Sequence, residues 1–192
     1  MNCSRKERKP FVHVECQSAL CRILLPDTAL VIWQRSLADD LGSELAGLAL
    51  DKVDDILFRS EPGVLGETLA DAMRNAGYPD MPALRRDIVM LASRHSGIMG
   101  HCDVRIRLEV VETDACRKFH ADYITVRTLA TYLGQGTQWI EGPCADMAGR
   151  PGGPEIRQCD TGAVAMFKGR LWQEDPAILH RSPPIGGSGE QR

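Results

Sequence analysis

Three residues have the types and the order to hold a metal ion. His120 and Asp122 stand two apart in the stretch Cys116 to Trp139, CRKFHADYITVRTLATYLGQGTQW. On a strand, residues two apart project from one face, so this imidazole and carboxylate would lie side by side. A second histidine, His180, comes near the C-terminus, and Arg192 follows it by twelve residues. Two histidines and a carboxylate on one face of iron(II) leave the other positions open for substrate and oxygen. The same donors accept Mn(II), Co(II) or Zn(II). Cys116 lies four residues before His120 and would share its face on a continuing strand. It would turn the set into a Cys/His/Asp zinc site. Cys144 and Cys159 flank a loop and are placed to close over an ion in the same way.

Each of these residues also has a structural reading. His120 and Asp122 fit the outward positions of an alternating strand, and His180 with Arg181 fits a turn before Pro183-Pro184. His13, Cys16 and Cys21 cluster in sequence without the tight C-x2-C pair of a zinc site. For these two cysteines the expectation is small buried hydrophobes. His95 reads as a helix-end residue, where the dipole favours a cation.

The elements that must position these groups change character along the chain. Ala29 to Trp33 is apolar, a short strand or a first helical turn. Leu37, Leu41, Leu45 and Leu48 recur at helical spacing, which predicts an amphipathic helix over 34–50. Residues 53–59 read as an edge strand. A second helix is expected from Val64 to Asn75, stopped at Gly77, and a third over about 81–96. After Gly100, Val104, Ile106, Leu108 and Val110 alternate with Arg105, Arg107 and Glu109, the pattern of a half-buried strand. Strands are further expected around 117–123, 125–133, 137–140 and 162–167, with a Pro/Gly-rich loop at 142–155 and a strand start at Ile178. Helices followed by short strands predict an α+β fold: N-terminal helices packed on a C-terminal double-stranded β-helix, a jelly-roll-like sandwich. The expected organisation is a tail and entry segment over 1–26 and one domain over 27–192, helical to 100 and β-rich from 101.

Bulk properties narrow the class. In 192 residues, 43% hydrophobic and 26% charged content is enough for one packed core. The formal charge of −3 and the lack of a basic stripe interleaved with aromatics argue against nucleic acid. The basic run Arg5 to Lys9 reads as a solvated tail. No uninterrupted apolar run of about 18 residues predicts a membrane span, and MNCSRKERKP is not a secretory signal. Seven unevenly spaced cysteines do not describe a disulfide framework, and a cytoplasmic protein is expected.

In FHADYITVRTLATYLGQGTQW and ILHRSPP the chain resembles a bacterial family, domain of unknown function 1826, over most of its length. That resemblance implies no established activity. It does imply a connection to zinc homeostasis. The chain also resembles iron(II)/2-oxoglutarate oxygenases of the prolyl-hydroxylase type. Their H-x-D pair is followed by an arginine-containing strand, a tyrosine strand ending in a G-G-x-T turn, a G-x-A strand, the distal histidine and a basic residue. The matching stretches here are His120-x-Asp122, Arg127 to Tyr132, Gly134-Gln135-Gly136-Thr137, Gly162 to Ala165, His180 and Arg192. One residue separates the glycines of the turn, and Arg192 is the last residue of the chain. This second resemblance implies Fe(II) on His120, Asp122 and His180. It implies 2-oxoglutarate held by Arg127 or Arg192 with Tyr132 and Thr137, and a small-molecule or protein substrate. The competing expectations are a non-catalytic zinc-binding protein, with Cys116 as an added ligand, and an interaction module with no converging ligands.

Overall fold

A computed structural model of the protein describes residues 9–100 and 102–192. Of the basic run, Arg5 to Arg8 lie outside the described residues. The architecture is mixed α/β, with three open sheets and no closed barrel among the described residues. No helix among them is long and apolar enough to cross a membrane. The chain forms two compact units. The first comprises the residues up to Arg35, Ala115–Ala130 and Gly136–Pro183; the second comprises Ser36–Asp114, Thr131–Gln135 and Pro184–Arg192.

The first unit holds two sheets. One has the order β1 (Phe11–Val14), β2 (Leu30–Trp33), β8 (Val164–Lys168), β5 (Val126–Ala130), parallel between β1 and β2 and antiparallel elsewhere. The other has the order β7 (Arg157–Gln158), β6 (Gln138–Glu141), β9 (Ile178–Arg181), antiparallel throughout. Strands from both ends of the chain therefore meet in one sheet, and Ala29 to Trp33 resolves as a strand. The two sheets share one apolar core, in which Leu30, Ile32, Ala165 and Phe167 of the first meet Trp139 and Ile178 of the second. Strand β8 is buried along its whole length, as a near-continuous apolar run should be. Burying each large side chain of this core contributes about 1.5–3 kcal/mol relative to exposure. Lys168 is the exception in that strand. Its Nζ donates to the Leu25 carbonyl at 2.7 Å and lies 4.9 Å from the centre of the Trp172 ring, while desolvation pushes its pKa down.

In this unit Gln17–Leu24 forms a 3-10 helix that buries Leu20 and Ile23. Three residues per turn put those two on one side, and Cys16 and Cys21 are exposed rather than buried.

The second unit packs α1 (Asp39–Ala46), α2 (Leu65–Asn75) and α3 (Pro82–Met99) with a two-stranded sheet of β3 (Ile56–Ser60) and β4 (Val104–Leu108). Helix α1 is shorter than the leucine spacing predicts. Leu41 and Leu45 lie on it and are buried, whereas Leu37 and Leu48 reach the same core from flanking irregular segments. Asp39 and Asp40 suit its positive N-terminal end. Helix α2 ends as expected before Gly77, whose φ of 81° places it in the left-handed region. Helix α3 runs through Gly97 and stops at Gly100. No side chain caps α3 from its own N-terminal residue. Instead the Glu44 carboxylate of α1 accepts the N–H groups of Ala83 at 2.8 Å and Leu84 at 2.9 Å.

Candidate metal centre

The site begins with a backbone exchange. His120 N–H donates to the His180 carbonyl at 3.0 Å, and His180 N–H donates to the His120 carbonyl at 2.9 Å. This is a single antiparallel bridge against the edge of β9, in place of the strand expected around 117–123. Residues directly opposed across a bridge project to the same side, which brings the two imidazoles to 4.8 Å between centroids. The bridge explains why residues 60 apart in sequence meet here. The His180 ring packs on Phe167 at 4.6 Å, so the shared core of the two sheets fixes one wall of the site.

Asp122 lies beyond the bridge, in the irregular segment before β5, and different contacts hold it. Its carbonyl accepts the Arg170 N–H at 2.8 Å, while Gly169 N–H donates to Thr125 at 2.8 Å and Leu171 N–H to Ile124 at 3.1 Å. These bonds tie residues 122–125 to the turn that follows β8. Gly169 is required for the approach. A Cβ there would collide with the Ile124 carbonyl oxygen and stand 2.7 Å from that of Asp122.

The side chains converge. Asp122 Oδ1 lies 3.8 Å from His120 Nε2, and Oδ2 lies 3.2 Å from His180 Nε2 and 2.8 Å from Arg127 Nε. One donor atom from each of His120, Asp122 and His180 falls within 4.8 Å of the others. Donors about 2.0–2.2 Å from a common ion stand roughly 3–3.5 Å apart, so small side-chain adjustments bring this set onto one metal. Two further observations fit a cation. His120 Nδ1 donates to the Lys118 carbonyl at 2.8 Å, which places the proton on Nδ1 and leaves the Nε2 lone pair facing inward. Asp122 Oδ2 is buried and receives no aligned hydrogen bond, although Arg127 and His180 are close. A buried carboxylate oxygen in that state lacks a partner that an ion would supply.

Protonation favours ligation. Burial alone would raise the Asp122 carboxyl, but the adjacent His180, Arg127 and His120 hold it below the ordinary carboxylate range. Burial pushes His180 below the usual histidine range, against the pull of Asp122. At neutral pH the site therefore presents a carboxylate and, at His180, a neutral imidazole. Exposure is uneven: the His120 side chain is 40% exposed and that of His180 only 7%. The His120 side is open to solvent.

The structure thus gathers His120, Asp122, His180 and Arg127. Cys116, Cys144 and Cys159 are not among the donors gathered there. Cys116 and Cys144 are exposed, and Cys159 is buried with its thiol pushed up to about 12 by desolvation. Thr137 is buried next to β6, and its carbonyl accepts the Cys159 N–H at 2.9 Å. Tyr132 and Arg192 belong to the second unit. There the Tyr132 hydroxyl donates to Asp87 at 2.7 Å, and Arg192 Nη1 donates to the Gln135 carbonyl at 3.1 Å. Sequence reasoning missed the contribution of Gly169, whose only signal was its place directly after a continuous apolar strand.

The sequence model of one family, described as "Protein of unknown function (DUF1826)", matches residues 15–192. The chain belongs to the DUF1826 family. The matched span includes every member of the cluster. No curated protein and no solved structure matches this DUF1826 chain.

Proposed function

We propose that His120, Asp122 and His180 form the mononuclear metal centre of an oxygenase of the iron(II)/2-oxoglutarate type. The observation that carries this reading is the convergence of two imidazoles and a carboxylate with no fourth His, Cys, Asp or Glu among the described residues. Three facial ligands with open positions suit iron(II) chemistry, whereas a structural zinc site is closed by four. The fold supports the reading in a second way. Two antiparallel-rich sheets around one core, with the histidine pair at an edge of one of them, agree with a double-stranded β-helix of jelly-roll type.

When bound, iron and 2-oxoglutarate supply the oxidative chemistry: dioxygen and 2-oxoglutarate are consumed, succinate and carbon dioxide are released, and the substrate gains an oxygen atom. The chain's own residues do the positioning. His180 is locked by Phe167 and by the bridge, His120 by its Nδ1 bond to Lys118, and Asp122 by the Gly169 turn. Asp122 supplies one negative charge toward the ion. The exposed His120 side is where substrate approaches.

Anaerobically purified protein should take up stoichiometric iron(II) and, once given 2-oxoglutarate and dioxygen, form succinate slowly without a further substrate. Both properties should disappear in His120→Ala and Asp122→Ala. Stoichiometric zinc with no succinate, weakened by Cys116→Ala, would replace this reading with a non-catalytic zinc-binding role.

A further inference from the structure

Arg127 is a cation placed directly beside the proposed metal ligands. It lies on β5 in register with Phe167 of β8, the residue on which the His180 ring packs. Its Nε is 2.8 Å from Asp122 Oδ2, while its side chain remains 38% exposed. Among the described residues its two terminal amino groups have no partner. A guanidinium is a rigid fork of five donors. Here Nε stands beside the Asp122 carboxylate, and the terminal amino groups hold no other hydrogen bond among the described residues.

Two other arginines of this unit spend their donors within the protein. Arg157 pairs with Glu141 and Glu155, and Arg181 bonds Gln138 and the Arg117 carbonyl. Lys168 is committed to the Leu25 carbonyl.

We propose that Arg127 is the receptor for the metal-proximal anionic group of the ligand, a 2-oxo carboxylate that chelates the ion. The inference rests on the metal centre proposed above and assigns the end of the ligand that Arg127 holds. Charge supports it. Arg127 offsets the single charge of Asp122, so a divalent ion in this half-buried place keeps its charge uncompensated and favours an anionic chelator. Position supports it as well. A cation for the far carboxylate of a five-carbon chain must stand a chain length from the ion, whereas Arg127 touches the carboxylate that ligates it. A free guanidinium fork matches carboxylate geometry with two parallel hydrogen bonds.

The test uses the cobalt(II)-loaded full chain, with its visible absorption as readout, titrated separately with pyruvate and with 2-oxoglutarate. Pyruvate has the oxo-acid end and no second carboxylate. Arg127→Met should weaken both ligands by a similar factor, about tenfold to hundredfold for a charge-assisted bond, and leave cobalt stoichiometry intact. Arg127→Lys should restore part of the affinity for both. The inference is overturned if Arg127→Met weakens 2-oxoglutarate alone, which would place Arg127 at the far carboxylate. It is also overturned if the variant weakens neither ligand, or if neither ligand perturbs the wild-type spectrum. Should Arg127→Met lose cobalt, the lysine variant decides: unchanged affinity for both ligands refutes the role, and a parallel loss supports it. Failure of the wild-type chain to bind cobalt is a separate result and removes the metal centre itself.

Discussion

The two units treat charge in opposite ways. In the second unit, ion pairs such as Arg59–Asp103, Arg74–Asp71 and Arg86–Asp40 join side chains that are each more than half exposed. Pairs of that kind contribute about 0–1 kcal/mol, and the helical core of Leu69, Met73, Leu84 and Ile88 supplies the stability. In the first unit the carboxylate of Asp122, the imidazole of His180 and the ammonium of Lys168 are withdrawn from water. Burying ionisable groups costs free energy, and at Asp122 the protein leaves one oxygen without an aligned donor. Such an expense in one unit, beside an inexpensive arrangement in the other, coincides with the residues that could hold a metal ion. The contrast teaches that the number of charged pairs says little, and that their solvation says much.

The sharpest way to break this contrast is at two glycines. Gly169→Ala should displace the 122–125 segment and lower metal affinity by more than tenfold, read by titration with cobalt(II). Gly66→Ala in α2 meets open space and should stabilise the fold by about 0.5–1 kcal/mol, read by urea denaturation. Equal effects of the two substitutions would mean that the Asp122 segment is not held by the close approach at Gly169.

A smaller effect is expected in the second unit at a carboxylate that accepts two backbone N–H groups. Glu44→Ala removes the acceptor of two N–H groups at the start of α3 and should cost about 1–3 kcal/mol in urea denaturation. Arg86→Ala, at an exposed pair, should stay within about 0.5 kcal/mol. A Glu44 loss no larger than the Arg86 loss would show that water replaces that cap.

The smallest expected effect is on pH dependence. His180 has its pKa depressed in the folded chain, so the unfolded chain binds the extra proton first. Metal-free protein should therefore lose stability as pH falls below the ordinary histidine value of about 6.5. His180→Gln should flatten that slope between pH 7 and 5. An unchanged slope would place the proton-sensitive group elsewhere.

Much of the local structure was legible because it depends on near neighbours. The end of α2 followed from Gly77, and β4 from strict alternation. The helix around Leu41 was legible in its face but not in its length, since Leu37 and Leu48 join the core from irregular segments. The exposed state of Cys16 and Cys21 was not legible, because the hydrophobicity of a thiol does not reveal which side of a 3-10 turn faces the core.

By itself the sequence determined the donor types His120, Asp122 and His180, the apolar strand that ends at Gly169, and membership of a family whose model spans residues 15–192. Donor identity is a covalent property, and periodicity is a local one. Only the tertiary structure decided that these donors meet. The meeting depends on a cross-strand bridge between His120 and His180 and on a segment pressed against a glycine. It also decided that Arg127 stands beside Asp122, while Tyr132 and Arg192 have partners in the other unit. Those outcomes depend on strand register and backbone approach, which contacts between residues far apart in the chain establish.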